Sequence, residues 1–257
     1  MNICVPSLDR SNSSHTLAKL KIEGLLQHTH IFVYSFDVES YKKAYPEANV
    51  VDCGNYKNLA RKRNKILEYG LLSNWKHLLM MDDDITSIVM KNEAQNIYAI
   101  STNKLYEELL NIRNDFVIAA PRYNFISCDN ITSSNKLIEF SSVSSVLFFN
   151  LENLKDYRFD ESMIIEDMDL FLNIVLNGDK VYKLRYIQAS NKIAQKGGYQ
   201  SYTKVEERHL LGLRQLFSKY EDADKFISLS KNGFVGLNKR RLEKYVREYK
   251  TDKVQGV

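Results

Sequence analysis

The sequence predicts an α/β fold built on a mostly parallel sheet. Three observations carry this. Strand and helix patterns alternate over the first 85 residues. The second half holds a strongly periodic amphipathic helix. Glycine and proline, at 10 and 3, are too few for an all-β chain of many tight turns. A chain of 257 residues with 44% hydrophobic content suffices for one such domain with a sizeable core, or one domain plus a small extension. Charged residues at 26% sit near the globular average and argue against wholesale disorder.

Residues 2–6 read as a short buried strand that ends in a polar loop over residues 7–14. A helix over residues 16–26 follows, with Leu17, Leu20, Lys21 and Gly24 on one side, then strands over 31–34 and 49–52. Residues 58–69 are helical, with Leu59, Ile66 and Leu67 on one face and Gly70 as the expected C-terminal stop. Residues 77–81 form a fourth strand running directly into Asp82-Asp83-Asp84. Residues 102–112 look helical, and 116–120 and 143–149 look like strands, separated by a Ser- and Asn-rich loop over 127–136. Such a loop is either functional or a surface excursion. In residues 166–176, Met168, Phe171, Leu172, Val175 and Leu176 follow helical spacing, and Asn177-Gly178 ends the helix. Residues 180–186 are the last expected strand. After Gly197-Gly198 the chain reads as helical and charged to its end.

The net charge of +4 is compatible with a polyanionic partner but short of the bias of a dedicated nucleic-acid module. Cys4, Cys53 and Cys128 are odd in number, far apart and form no C-x-x-C pair, so reduced cysteines in a cytoplasmic protein are expected. No signal peptide and no apolar run of about 20 residues is present, so no membrane segment is expected.

Two acidic groups are the candidate chemistry. Asp82-Asp83-Asp84 lies where a parallel sheet places its ligands, beyond the carboxyl ends of the strands, together with Ser7-Leu8-Asp9-Arg10. Three adjacent carboxylates repel one another, and a hard divalent cation sharing a diphosphate would repay their confinement. In an extended segment Asp82 and Asp84 point the same way. The plainer alternative is a solvated acidic turn. Glu166-Asp167, with Asp169, opens the later helix, where the helix dipole alone accounts for acidic residues. The sharper alternative is a general base at Asp167, projecting from the helix start into a cleft. Arg61 and Lys62 read as solvated surface, while Arg63 and Asn64 flank the apolar face and are expected to be semi-buried against a nucleotide pocket.

The order of these pieces resembles GT-A glycosyltransferases. It comprises the Pro6-Ser7 and Asp9-Arg10 loop, the helix segment Ala60-Arg61-Lys62-Arg63-Asn64, the strand ending in Asp82-Asp83-Asp84, then Phe159-Asp160-Glu161, Glu166-Asp167-Met168-Asp169-Leu170 and Asn177-Gly178. A narrower likeness is to the TET-associated glycosyltransferases of phages and bacteria. It rests on the opening Pro-Ser…Arg loop, Thr16, Glu39-Ser40-Tyr41, the Arg-Asn helix and the Asp triplet, mainly over residues 1–90. The resemblance implies a Rossmann-like nucleotide-diphospho-sugar transferase domain over residues 1–200 with a basic helical extension over 201–257. It implies a UDP-sugar donor, Mn²⁺ or Mg²⁺, and 5-hydroxymethylcytosine in double-stranded DNA as acceptor, in a bacterial or phage-infected cell. Carried over, Pro6, Ser7, Arg10, Arg63, Asn64, Asp82 and Asp83 bind the nucleotide. Asp82 and Asp84, with His209 as a third candidate, hold the metal, and Asp167 with Glu166 is catalytic.

DNA needs basic residues near the active face. Residues 239–253 carry seven basic and three acidic side chains, a surplus of four, and residues 191–199 form a basic, aromatic-tipped loop. A solvated helical face is the alternative for the first and an ordinary surface loop for the second. A transferase for a surface polysaccharide or glycan would share the donor site and differ in its acceptor cleft. A binding domain without catalysis is disfavoured by the intact acidic groups.

Overall fold

The computed structural model describes residues 1–122, 130–192, 205–230, 233 and 235–255, with side chains omitted at 133, 205–206 and beyond 248. The expected strands and helices are present at the start, with an unexpected helix over Val38–Ala44 added between the second and third strands. β1 (Ile3–Pro6) leads to α1 (His15–Ile22), β2 (Thr29–Val33), α2 (Val38–Ala44), β3 (Asn49–Asp52), α3 (Leu59–Leu72) and β4 (His77–Met81). Then come β5 (Ile85–Lys91), β6 (Ile97–Ala99), α4 (Thr102–Leu110), β7 (Ile118–Arg122), β8 (Leu137–Glu139), β9 (Val146–Asn150), α5 (Glu166–Leu176) and β10 (Val181–Asn191). The chain closes with α6 (Val205–Lys219), the antiparallel pair β11 (Ile227–Leu229) and β12 (Val235–Leu237), and α7 (Lys239–Gln255).

Side-chain caps start four of the helices, α7 among them, where Asn238 accepts from the Arg241 N–H at 3.2 Å. Ser14 accepts from the Leu17 N–H, Asn58 from that of Arg61 and Ser101 from that of Lys104. α5 has no such cap; Ile165 precedes it, and Glu166, Asp167 and Asp169 occupy its first turn.

The sheet order is β3-β2-β1-β4-β9-β7-β10-β5-β6, with β8 on β10. Only part of it is parallel, which corrects the mostly parallel expectation. β3, β2, β1 and β4 run together, β9 is antiparallel between β4 and β7, and β5 and β6 return antiparallel beyond β10. β10 is much longer than the predicted 180–186. Its first half pairs with β7; after a register shift its second half pairs with β5. Only Asp82, Asp83 and Asp84 separate β4 from β5, a reach of at most about 14 Å. The long, shifted β10 brings β5 back to the end of β4, so the acidic triplet spans the sheet's two parts.

Alternation along the strands builds two core layers. Leu78 and Met80 of β4, Leu147 and Phe149 of β9, Ile118 and Ala120 of β7 and Val181 of β10 face the layer that contains residues of α3, α5, α6 and α7. Leu79, Met81, Phe148, Ala119, Tyr182 and Leu184 face the layer of α1, α2 and α4.

Other expectations shift. Gly70 lies inside α3, which runs on to Leu72. Its bare Cα faces Leu151 and Leu78, whose Cδ1 atoms would stand 2.9 and 3.0 Å from an added Cβ, so it permits close packing rather than ending the helix. The expected helix over residues 16–26 stops at Ile22, and Leu26 lies in a separate short 3₁₀ turn. Cys4 is buried and Cys53 half-buried, both free. Cys128 and residues 193–199 of the basic loop lie outside the described residues. No helix among the described residues is long and apolar enough to cross a membrane.

Gly212 of α6 sits against Ile165, the residue before α5; an added Cβ would meet the Ile165 Cγ1 at 2.8 Å. Alanine is the better helix former by about 1 kcal/mol, yet a β-branched neighbour yields little. Gly212→Ala is expected to lower stability by about 1–3 kcal/mol in urea unfolding.

Candidate active site

The acidic triplet is fixed through its backbone before any ligand is considered. The Asp82 N–H donates to the Ser145 carbonyl at 2.7 Å, and the Asp82 carbonyl accepts from the Thr16 hydroxyl. The Asp83 carbonyl accepts from the Ser14 hydroxyl at 2.8 Å, and the Asp84 carbonyl from the Lys192 N–H at 3.0 Å. Thr16 also accepts from the Ile85 N–H at 2.9 Å, gripping the turn on both sides. Ser145 holds its place with a left-handed backbone, φ 60°, which a non-glycine residue adopts at a cost.

The side chains of the triplet diverge. Asp83 is buried; one oxygen accepts from Ser7 and the other from Arg10. Burial raises its carboxyl, against the pull of Arg10 and Ser7. Tyr41 completes this group, at 2.6 Å from the Ser7 hydroxyl and accepting from the Arg10 N–H at 3.0 Å. Pro6 and Ser7 are also buried, and the Ser7 N–H donates to the Phe32 carbonyl at 3.0 Å. The structure thus binds Ser7, Arg10 and Asp83 to one another, locking the loop after β1 onto the end of β4. Lys62, expected as surface, is 1% exposed. It donates to the Ser7 carbonyl and lies 3.9 Å from the Tyr34 ring centre; burial lowers its ammonium to about 8.

Arg63 joins the two acidic groups. Its Nη2 donates to Asp82 Oδ1 at 2.9 Å and its Nη1 to Glu166 Oε1 at 3.0 Å, 103 residues away, while the Arg63 side chain is only 4% exposed. Burial opposes the guanidinium charge, but Asp82, Glu166 and Asp167 outweigh it and hold Arg63 above the ordinary arginine range. Burial also raises the Glu166 carboxyl, with Arg63 pulling the other way. Asn64 is half-buried, as expected. Its amide donates to the Phe159 carbonyl and accepts from the Phe159 N–H, both at 2.8 Å, so it clamps the segment leading to α5. Asp160 and Asp169 serve similarly: Lys219 at the end of α6 binds both, and Tyr220 donates to Asp169 at 2.7 Å.

Two carboxylates remain for chemistry. Asp84 is 7% exposed, and its buried Oδ1 has no hydrogen-bond partner among the described residues. Burial first, then the charges of Asp82 and Asp83, raise its carboxyl to about 7; Arg10, 3.9 Å away, offsets only part. An orphaned carboxylate oxygen next to the partly exposed Asp82 is the donor chemistry that suits a hard cation. Asp167 is half-buried at the start of α5, and its Oδ1 accepts from the Met168 N–H at 2.8 Å, leaving Oδ2 outside that bond. Its charge is felt by Arg63, Lys183 and His209. His209 therefore lies in the electrostatic reach of Asp167. Among the described residues no three His, Cys, Asp or Glu side chains converge as a metal cluster, so His209 does not complete one with Asp82 and Asp84.

Sequence reasoning gave no role to Tyr41 or Lys62. Tyr41 stood within the quoted Glu39-Ser40-Tyr41, the one available signal. A lysine on a helix or in a strand carries none.

Carboxylates from the end of a parallel strand and from a later helix start are thus joined through Arg63 on one side of an α/β sheet. The profile of the TET-Associated Glycosyltransferase family matches residues 1–198, and the chain belongs to that family. No curated protein matches the chain. Among solved structures, S. aureus TarS is similar at 16% identity over 87% of this chain and 41% of its own, with a TM-score of 0.44. A 4-diphosphocytidyl-2C-methyl-D-erythritol synthase from Anaerococcus prevotii is similar at 10% identity over 83% and 95%, with a TM-score of 0.46. A cytidylyltransferase from Leptospira borgpetersenii is similar at 11% identity over 97% and 94%, with a TM-score of 0.43.

Arg63→Met leaves Asp82 and Glu166 facing each other without their cation. A loss of about 3 kcal/mol or more is expected in denaturant unfolding, with little recovery in Arg63→Lys, which cannot fork to both. A second expectation concerns pH. Asp84 is raised from 3.8 to about 7 in the folded protein, so the folded state holds the extra proton between those values. Stability therefore falls as pH rises through that window, and the penalty is complete above it. A cation bound to the ionised carboxylate relieves that penalty, so Mn²⁺ should raise the melting temperature more at about pH 8 than at about pH 6. Equal gains would remove Asp84 from the ligand set.

Proposed function

We propose that the protein transfers a sugar from a UDP-sugar to the hydroxyl of 5-hydroxymethylcytosine in double-stranded DNA, with Mn²⁺ or Mg²⁺ held by Asp82 and Asp84. The observation that carries the donor half is the orphaned Asp84 oxygen beside Asp82, on a turn whose backbone is already tied down. The cation would neutralise the donor's diphosphate as it leaves.

The chain's own residues supply the rest. Ser7, Arg10, Asp83 and Tyr41 fix the loop that walls the donor site. Arg63 and Glu166 set the distance between Asp82 and the start of α5. Asp167 takes the acceptor proton at Oδ2 as the acceptor oxygen bonds to the sugar's anomeric carbon. The anomeric carbon–phosphate oxygen bond breaks, and its electron pair leaves with the diphosphate. The acceptor half is supported by family membership and by α7, whose Leu242 and Val246 are buried while Arg240, Arg241, Lys244 and Arg247 are exposed. Intrahelical pairs with Glu243 and Glu248 neutralise part of that charge.

The test is mass spectrometry of hydroxymethylcytosine DNA incubated with a panel of UDP-sugars. A mass gain of one sugar per modified base is expected, falling steeply with added salt as DNA binding weakens. A salt-indifferent gain on small glycan acceptors alone would overturn the DNA reading. Asp84→Asn should abolish metal-dependent UDP-sugar binding. Asp167→Asn should keep that binding and lose transfer by about 10²–10⁴-fold; normal transfer would remove Asp167 as the base.

A further inference from the structure

Two aromatic rings stand in solvent at the carboxyl edge of the sheet, outside the donor half of the site. Phe36 follows β2 and is 53% exposed; Tyr56 follows β3 and is 60% exposed. Burying either ring would be favourable, so two together in solvent call for a partner. The loops that carry them are tied together. The Ser35 N–H donates to the Gly54 carbonyl at 3.0 Å, and Asp52 accepts from the Ser35 hydroxyl and the Gly54 N–H, both at 2.7 Å. Asn58 caps α3 and donates its amide to the Glu161 carbonyl at 2.9 Å. Phe36 stacks on the buried Tyr34, with ring centres 5.7 Å apart and planes 23° from parallel.

A cation sits over each exposed ring. Lys57 Nζ lies 4.9 Å from the Phe36 centre, and Arg61 Cζ lies 4.8 Å from that of Tyr56. Between Gly54 and Leu67 the chain carries five basic residues and no acidic one. α3 divides them. Lys62 and Arg63 turn inward, to the Ser7 carbonyl and to Asp82, whereas Lys57, Arg61 and Lys65 are exposed. Arg61 and Arg63 lie about 200° apart around the helix and so face away from each other. The acids that flank this stretch are Asp52, held as above, and Glu68, 3.6 Å from Lys65. Exposed rings interleaved with cations, on loops already held in place, match a nucleic-acid strand whose bases stack on the rings and whose phosphates meet the cations. An apolar protein face would satisfy the rings and strip water from the cations; a small anion would satisfy the cations and leave the rings bare.

We propose that Phe36, Tyr56, Lys57 and Arg61 form a docking platform for an unpaired stretch of the acceptor strand, on the side of α3 that faces away from Asp82. That the strand is the acceptor rests on the nucleic-acid reading above; the platform itself does not. A base inside a duplex offers no free face, so the platform selects a strand that is single or locally opened. It would hold bases that flank the target while the target itself enters the cleft at Asp167.

The test measures, by fluorescence anisotropy, the affinity of the full-length protein saturated with UDP and Mn²⁺ for a labelled single-stranded oligonucleotide without modified bases, and for the same sequence as a duplex. Wild type is expected to prefer the single strand. Tyr56→Ala and Phe36→Ala should each lower that affinity about tenfold, and Tyr56→Trp, which keeps a stacking face, should not. Arg61→Gln should flatten the slope of log affinity against log salt by about one. UDP affinity should stay at the wild-type level in all four variants. Strand affinity unchanged in both alanine variants, no strand binding by wild type, or a duplex bound as tightly as the strand overturns the platform. So does a UDP affinity that falls as far as the strand affinity, which assigns the rings to the donor's base. The acceptor reading fails separately. Ring-dependent strand binding with no sugar transferred to hydroxymethylcytosine DNA keeps the platform and removes that acceptor. Transfer to that DNA by wild type, with the alanine variants binding the strand normally, does the reverse.

Discussion

A single buried guanidinium sets the dimensions of this site. Arg63 reaches Asp82 with one nitrogen and Glu166 with another, and those carboxylates belong to parts of the chain far apart in sequence. Removing water from three charges is costly, and only paired geometry offsets it. That cost makes the arrangement selective. Any movement of α5 away from β4 strands a charge in a dry interior. The distance between the donor carboxylates and the start of α5 is thereby held by electrostatics, while Asn64, one residue on, holds the preceding segment by its backbone at Phe159.

Charge is distributed with the same economy in the triplet. Three identical residues have three different fates. Asp83 is consumed in holding the β1 loop, Asp82 is shared with Arg63, and Asp84 keeps an oxygen that nothing among the described residues satisfies. Five hydrogen bonds to its backbone hold that turn against the mutual repulsion of its side chains. A ligand that completes it would meet donors already in place, and less of its binding energy would go into ordering the chain.

The elements legible in the sequence were those whose signal is local. β4 and α5 have apolar periods and clear ends, and both acidic groups fell where a strand end and a helix start predicted. The order of the sheet was not legible, because antiparallel insertion of β9 between β4 and β7 depends on long-range pairing. β5 and the β11–β12 pair were missed for a related reason: they are short or face solvent on one side, as with the exposed Thr86 and Ser87 of β5. Gly70 carried the signature of a helix stop, yet contact with Leu78 and Leu151 decided its place. Lys62 looked like surface because a lysine's burial depends on what meets its ammonium, here a carbonyl and a tyrosine ring from other elements. The roles within the Asp triplet were equally hidden, since identical residues give no clue to which one finds Arg10.

The three-residue span between β4 and β5 also limits how this gene can change length. Most surface connections absorb an added or lost codon, because the slack is taken up in solvent. Here both flanking strands are pinned in one sheet, and Thr16 grips the segment from both sides. An extra residue would reverse which way each following side chain of β5 points, sending Ile85 and Ile88 out of the core and their polar neighbours inward. Variation in the family can therefore act on which residues occupy positions 82–84, but scarcely on how many there are.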